Sequence, residues 1–133
     1  MRAQTPPPFD EVRMLAWDLL RRVERSAAFA DLLLDSVFSK NPKLRIFDRA
    51  FISEMVLGTL RWRSRLDLAV HRAAKFPEKK IDVKLLDLLR LGAYQILFMD
   101  RVPPFAAVNE SVRLARAGFK SEKISGFTNA VLR

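Results

Sequence analysis

The chain has 133 residues, half of them apolar, and a formal net charge of +9 from 24 Lys and Arg against 15 Asp and Glu. This fits one globular domain, while the lack of cysteine and the single histidine exclude thiol chemistry and argue against zinc sites and a Ser-His-Asp triad. No apolar run reaches the roughly 18 residues of a membrane span, and the N-terminus lacks the apolar core of a signal peptide, so we expect a cytoplasmic protein without a membrane partner.

Helical periodicity begins after a Pro-rich N-terminus, residues 1–9, that we expect to be flexible. The apolar spacing predicts a first helix over about residues 10–25, with Asp10 as its N-cap. A short second helix should end at Asn41-Pro42, and its apolar residues are Phe29, Leu32, Leu33 and Val37. Asp48 is expected to cap the next helical segment, and residues 48–75 form one long bent helix or two abutting ones.

The second half of the chain continues the helical pattern after a lysine-rich turn around Pro77. Asp82 should cap a strongly apolar helix that we place at the centre of the fold. Pro104 suits the first position of the following helix, which Gly118 helps to end, and Ser121 can cap the last one. Because no strand pattern of convincing length appears, we predict an all-α bundle of six to seven helices over residues 10–133.

The basic residues are mainly arginines, 16 of the 24. The planar guanidinium group pairs bidentately with phosphate and stacks on bases, so this excess favours a nucleic-acid partner. An acidic protein partner and a basic surface without a specific ligand are the alternatives.

The most basic segment lies between Arg61 and Lys80, where seven Lys and Arg face two acids for a local charge of +5. On a continuous helix Arg61 and Arg65 would share a face, which Arg72 extends. We predict phosphate contacts from Arg61, Arg63, Arg65 and Arg72, against the alternative of a solvated face partly paired to Glu54 or Asp67. Trp62 could stack on a base, although burial is the favoured interpretation.

Two smaller groups are further candidates for RNA binding. Arg13, Trp17 and Arg21 are spaced by four residues, and an exposed aromatic between two arginines suits single-stranded nucleic acid; the alternative is a Trp packed on a neighbouring helix. Lys120, Lys123 and Phe127 surround the start of the last helix, whose N-terminus attracts phosphate; ordinary surface charge around a core Phe is the alternative.

The remaining polar residues do not assemble an active site. His71 has no ligand-type neighbours at metal-binding spacing, and the four glycines are scattered rather than grouped in a phosphate loop. Arg90 lies on the most apolar helix, and we expect an internal ion pair, with Glu54 or Glu110 as its partner.

Four segments in order resemble the NusB-like domain, and most closely the N-terminal domain of the Sun/RsmB family of 16S rRNA cytosine-5 methyltransferases. These segments are DRAF at 48–51 with GTLRWR at 58–63, LLRLGAYQ at 88–95, VPPFAAVNESV at 102–112 and GFTNAVLR at 126–133. The resemblance covers about residues 12–133 and implies a helical RNA-binding domain that docks 16S rRNA.

The resemblance also implies a following methyltransferase domain with S-adenosylmethionine as cofactor, and the abrupt end at Arg133 is what a domain border would give. In that family a cysteine attacks C6 of the target cytosine. Since this chain has no cysteine, we expect it to hold no cofactor and to be non-catalytic by itself. The rival is a stand-alone NusB antitermination factor, which the segment GTLRWR and the lack of a dense arginine cluster before the first helix disfavour. A helical protein-interaction module is a third interpretation.

Overall fold

The structure, a computed structural model, describes residues 10–26, 29–74 and 81–133. These residues form seven helices and no strand, which confirms the predicted all-α bundle. The Pro-rich segment at 1–9 and the lysine-rich turn around Pro77 lie outside the described residues. The helices are α1 (Glu11–Ser26), α2 (Ala30–Lys40), α3 (Ile46–Arg61), α4 (Arg63–Ala74), α5 (Val83–Phe98), α6 (Pro104–Phe119) and α7 (Glu122–Leu132).

Three predicted N-caps are confirmed by side chains that accept backbone hydrogen bonds. Asp10 Oδ1 accepts from the amides of Val12 and Arg13, at 2.9 and 3.2 Å. Asp82 accepts from the amide of Lys84 at the start of α5, and Ser121 Oγ accepts from the third residue of α7. Each bond satisfies an amide that has no partner inside its own helix, which fixes where these helices begin.

Helix α5 lies at the centre of the bundle, as its apolar sequence predicts. It packs against α1, α3, α4, α6 and α7, and every residue from Leu85 to Gln95 is buried. Burial on several sides favours apolar residues around the helix, which the leucine-rich sequence supplies, and Asp87, Arg90 and Gln95 are polar exceptions within the buried stretch.

The long segment predicted over residues 48–75 is two helices, α3 and α4, which meet at Trp62. Asp48 is not the N-cap expected for α3, because the helix begins two residues earlier. Its carboxylate instead accepts hydrogen bonds from the amide and Nε of Arg45, at 3.2 and 3.3 Å. These bonds hold the pKa of Asp48 below its usual range.

The short second helix predicted from the apolar spacing is present as α2, and only part of its apolar sequence is buried. Phe29 and Leu32 are exposed, whereas Leu34 and Val37 are buried. Helix α2 packs mainly on α1 and α3, which cover Leu34 and Val37, and Leu33 and Phe38 are partly buried against the core.

Candidate nucleic-acid interface

The junction between α3 and α4 presents the arginines of the most basic segment. Arg61 ends α3, while Arg63, Arg65 and Arg72 belong to α4, and all four side chains are exposed. Arg61 and Arg65 do not lie on one continuous helix, because Trp62 separates α3 from α4. Their exposure agrees with phosphate binding, which remains a prediction. The lysines of the same segment, at 75, 79 and 80, lie outside the described residues.

Asp67, the acid within α4, pairs with Arg90 on α5. The guanidinium Nε lies 2.5 Å from Asp67 Oδ1 and Nη2 lies 3.1 Å from Oδ2, while Nη1 donates to Asp87 Oδ1 at 2.9 Å. Arg90 is therefore internally paired as expected, but the predicted partners Glu54 and Glu110 are wrong; Glu110 pairs with Arg113 at 3.1 Å. The network joins α4 to α5 and positions the basic helix on the core.

Trp62 lies at the surface of the α3–α4 junction and is 37% exposed. Its ring stacks on Phe98 of α5, with 5.0 Å between centroids and 17° between planes, and Tyr94 stacks on Phe98 at 5.4 Å and 20°. The interpretation of Trp62 as a buried side chain is wrong, because the end of α3 places the ring over Phe98 rather than inside the bundle. Trp62 is thus an aromatic surface between two exposed arginines.

Gly58 lets α3 approach α5 at the base of this aromatic stack. A Cβ at Gly58 would overlap the phenol ring of Tyr94, so only glycine fits here. Burial raises the pKa of Tyr94, the charge of Glu54 raises it further and Arg61 lowers it. The Tyr94 hydroxyl therefore lies within electrostatic range of both an acid and an arginine of α3.

The group predicted on α1 is not at the surface. Trp17 is 2% exposed, and its Nε1 donates to the carbonyl of Lys84 at 2.9 Å. Arg13 is 9% exposed, donates to Gln95 Oε1 at 2.7 Å and to Asp10, and lies 5.1 Å from the ring centre of Phe51. The prediction of an exposed aromatic between two arginines is therefore wrong, because α3 and α5 cover α1 beyond its apolar stripe.

Arg21, the third member of that α1 group, is half-buried and is the one that reaches solvent.

Gly118 of α6 packs closely on Trp17, and a Cβ at this position would lie 2.6 Å from the indole ring. The Nζ atom of Lys84 donates to the Gly118 carbonyl at 2.9 Å and lies 4.6 Å from the ring centre of Phe119. Gly118 thus serves helix packing, and the C-terminus of α6 is formed by Lys120 in the left-handed conformation, with φ of 52°.

The start of α7 carries the third predicted group. Lys120 and Lys123 are exposed on either side of Ser121, while Phe127 is half-buried and packs against the core. The two lysines and the amide end of α7 form a positively charged edge. The half-buried position of Phe127 agrees with the alternative interpretation, in which it is a core side chain. RNA binding by Lys120, Lys123 and Phe127 stays a prediction.

A cleft of about 520 Å³ lies between α3 and the loop that follows α5, and sequence reasoning missed it. Phe47, one of its walls, is 81% exposed. The available signal was the pair Ile46-Phe47, two adjacent large apolar residues outside the buried stripe of α3. The lining residues are Phe47, Ala50, Phe51, Glu54, Phe98, Met99, Asp100, Arg101 and Val102.

Within residues 10–26, 29–74 and 81–133, His, Asp and Glu do not gather in a group able to hold a metal ion. The helices that these residues form are too short or too polar to cross a lipid bilayer.

Relatives with similar sequences are several times longer than this chain. A Mycobacterium tuberculosis protein named as a candidate methyltransferase is 40% identical over 126 residues, covering 95% of this chain and 27% of that protein. The Bacillus subtilis protein named probable ribosomal RNA small subunit methyltransferase B is 35% identical, covering 92% and 27%. The chain therefore spans about a quarter of the length of these relatives.

Shorter relatives match over most of their length. The transcription antitermination protein NusB of Geobacter sulfurreducens is 28% identical, covering 90% of this chain and 87% of that protein. The solved structure of T. maritima NusB shares the fold, with a TM-score of 0.79 and 20% identity over 98% of this chain and 89% of that one. Residues 10–133, which include the seven helices of the described residues, match the NusB family, and the chain therefore belongs to it.

Proposed function

We propose that this chain is the RNA-docking domain of an S-adenosylmethionine-dependent methyltransferase that modifies C5 of a cytosine in 16S ribosomal RNA. The domain would hold the RNA through arginine–phosphate contacts and present the target base to a methyltransferase domain of the same polypeptide. The similarity to proteins named for ribosomal RNA small subunit methylation supports this assignment. A cytoplasmic location follows from such a substrate.

The exposed α3–α4 junction is the observation that carries the proposal. Arg61, Arg63 and Arg65 present three guanidinium groups within five residues, and Trp62 lies between them with part of its ring accessible. The acid inside this segment, Asp67, holds Arg90 in an internal ion pair. The junction therefore suits a polyanion that also offers bases for stacking.

This chain does not fit the catalytic half of the reaction. It has no cysteine to attack C6 of a cytosine, and the helices of the described residues offer no glycine-rich turn for the methyl donor. The attack on C6 and the binding of the methyl donor would belong to the proposed methyltransferase domain. The helical domain would bind and orient the RNA.

RNA affinity measured across a salt series tests the docking role. For a fragment of 16S ribosomal RNA, the logarithm of the association constant should fall linearly with the logarithm of the salt concentration. Replacement of Arg61, Arg63 and Arg65 by alanine should reduce the slope by about 2, since each phosphate contact to single strands contributes about 0.7.

The matched control removes three positive charges elsewhere, with the substitutions Arg22→Ala, Lys40→Ala and Lys43→Ala on α1, α2 and the turn after α2. If the control reduces the slope as much as the junction variant, net charge rather than the junction binds RNA. An unchanged slope in the junction variant would move the interface to the start of α7.

A second candidate role, protein docking, is favoured by a groove of about 150 Å³ between α4, α5 and α7. We propose that its occupant is the methyltransferase portion that accounts for the remaining length of the long relatives. Leu97 is exposed at this groove, so Leu97→Asp should abolish association with the methyltransferase portion of the Mycobacterium tuberculosis relative. Val83 is exposed on the same helix outside the groove, so Val83→Asp is the matched control and should still associate. Retained association in Leu97→Asp would exclude the groove as the contact.

Transcription antitermination is the alternative, since the chain matches the Geobacter sulfurreducens protein over nearly its full length. Binding to the methyltransferase portion separates the two roles, because an antitermination factor has no use for it. Failure of the wild-type chain to associate, combined with full RNA affinity in isolation, would favour the antitermination role.

A further inference from the structure

We propose that the cleft between α3 and the loop after α5 is a base-binding pocket, which receives one unstacked nucleobase that carries an exocyclic amino group. The inference rests on the proposed RNA-docking role and names what part of the RNA the domain reads. The pocket lies beside the aromatic stack of the α3–α4 junction, and the two share Phe98.

The shape of the cleft follows from helix geometry. Phe47, Ala50, Phe51 and Glu54 are spaced by three and four residues on α3 and therefore share one face. The loop from Met99 to Val102 forms the opposite wall. An open cleft of about 520 Å³ between these walls admits a planar ring without any movement of the core.

Aromatic side chains line the cleft and continue beyond it. Phe47, Phe51 and Phe98 line the cleft, and Phe98 also stacks on the rings of Trp62 and Tyr94. Phe47 is 81% exposed, so its ring gains little from the core of this domain. A base stacked on such a ring would bury apolar surface that is now in water, and stacking is possible for every base.

The polar groups of the cleft give the proposed chemical preference. Glu54 and Asp100 are exposed carboxylates that accept hydrogen bonds, and Arg101 is an exposed donor. Carboxylates recognise exocyclic amino groups, such as N4 of cytosine, whereas the Watson–Crick edge of uracil has no amino group. Glu54 and Phe98 line the same cleft, so this carboxylate lies beside the aromatic stack.

The surroundings favour a nucleotide over a protein side chain as the occupant. The stack leads from Phe98 to Trp62, and Trp62 lies between Arg61 and Arg63, which are exposed. The phosphates beside a base bound in the cleft would lie on the positive α3–α4 junction, while the amino group of the base would contact the carboxylates of the cleft. This arrangement matches a nucleic-acid strand, in which each base is attached to a backbone of phosphates.

Binding of fluorescent oligoribonucleotides of about 12 residues tests the pocket. The wild-type chain should bind oligocytidylate and oligoadenylate about tenfold more tightly than oligouridylate. Phe47→Ala should weaken oligocytidylate binding about five- to hundredfold and leave an abasic oligomer unaffected. Glu54→Leu removes the hydrogen-bond acceptor at a similar side-chain volume and should abolish the preference over oligouridylate.

Ile46→Ala is the matched control, since Ile46 is as exposed as Phe47, lies next to it and does not line the cleft. Salt-dependent binding that is equal for all bases and unaffected by Phe47→Ala would overturn the pocket and leave the docking role intact. Loss of all RNA binding in the wild-type chain would overturn both. A cleft that captures arginine-rich peptides in preference to oligocytidylate would also overturn the assignment.

Discussion

Replacement of Arg90 by methionine should destabilise the fold more than any single change at the surface. Arg90 lies on the central helix, and its guanidinium pairs with Asp67 on α4 and Asp87 on α5. The side chain of Asp87 is 2% exposed and that of Asp67 is 27% exposed. Methionine fills a similar volume but leaves the Asp87 carboxylate buried without the cation that offsets it.

The magnitude follows from this burial. Breaking a buried ion pair by removing one partner costs about 3–5 kcal/mol, because a desolvated charge remains. A domain of this size is stable by about 7–20 kcal/mol, so the variant loses a large part of its stability. Each kcal/mol shifts the melting temperature by about 3–4 °C, and we expect a fall of about 10–20 °C.

Urea unfolding of three variants, followed by circular dichroism, tests this reasoning. Asp67→Asn should cost about 1 kcal/mol because water reaches its carboxylate. The double variant Arg90→Met with Asp87→Leu should recover most of the loss, since it removes both buried charges together. A single Arg90→Met variant that unfolds within about 1 kcal/mol of the wild type would refute the reasoning.

Three further predictions concern the helix contacts. Tyr94 is the only tyrosine, so phenolate absorbance should titrate with a pKa above the ordinary 10.0, and the stability that its neutral form contributes should be complete below about pH 10 and be lost at higher pH. A lower titration midpoint in Glu54→Gln would confirm the effect of that carboxylate, whereas a midpoint of 10 or below in the folded wild type would contradict the burial argument. Gly58→Ala should lose about 1–3 kcal/mol by overlap with Tyr94, whereas Gly126→Ala, with open space around it, should gain up to about 1 kcal/mol; equal effects in urea unfolding would refute the packing explanation. Lys120→Gly should raise stability by about 1 kcal/mol because a left-handed residue favours glycine, and a lower melting temperature would contradict this.

Local signals predicted three of the helix starts and the central helix. Asp10, Asp82 and Ser121 cap through atoms two or three residues away, so the sequence alone contains both partners of each bond. The central position of α5 follows from the apolar residues on several sides of the helix, whose exposure to water would be unfavourable. Both features depend on short separations along the chain.

The placement of α1 shows where the same reasoning ends. Arg13 and Trp17 lie off the apolar stripe, and a helix with one buried face would expose them. Their partners, Gln95 and the carbonyl of Lys84, are about 70 to 80 residues away and no spacing rule reveals them. Polar contacts of this kind bury residues that amphipathic analysis assigns to the surface.

The candidate site was only partly predictable for a similar reason. The arginines around Trp62 form a contiguous segment, and their exposure agrees with the composition of that segment. The cleft combines Phe47 and Glu54 of α3 with Phe98 and Arg101, about 50 residues later, so it exists only after α3 packs on α5.

The central helix has a further property that its leucines alone would not provide. An apolar cylinder among apolar neighbours can rotate or slide at little cost, and such bundles interconvert between several packings. Three polar contacts that join α5 to three different helices remove this freedom: Lys84 to the Gly118 carbonyl of α6, Arg90 to Asp67 of α4 and Gln95 to Arg13 of α1. A slip of one turn would break all three at once, so they select one azimuth and one register for α5, and through it one arrangement of the surrounding helices.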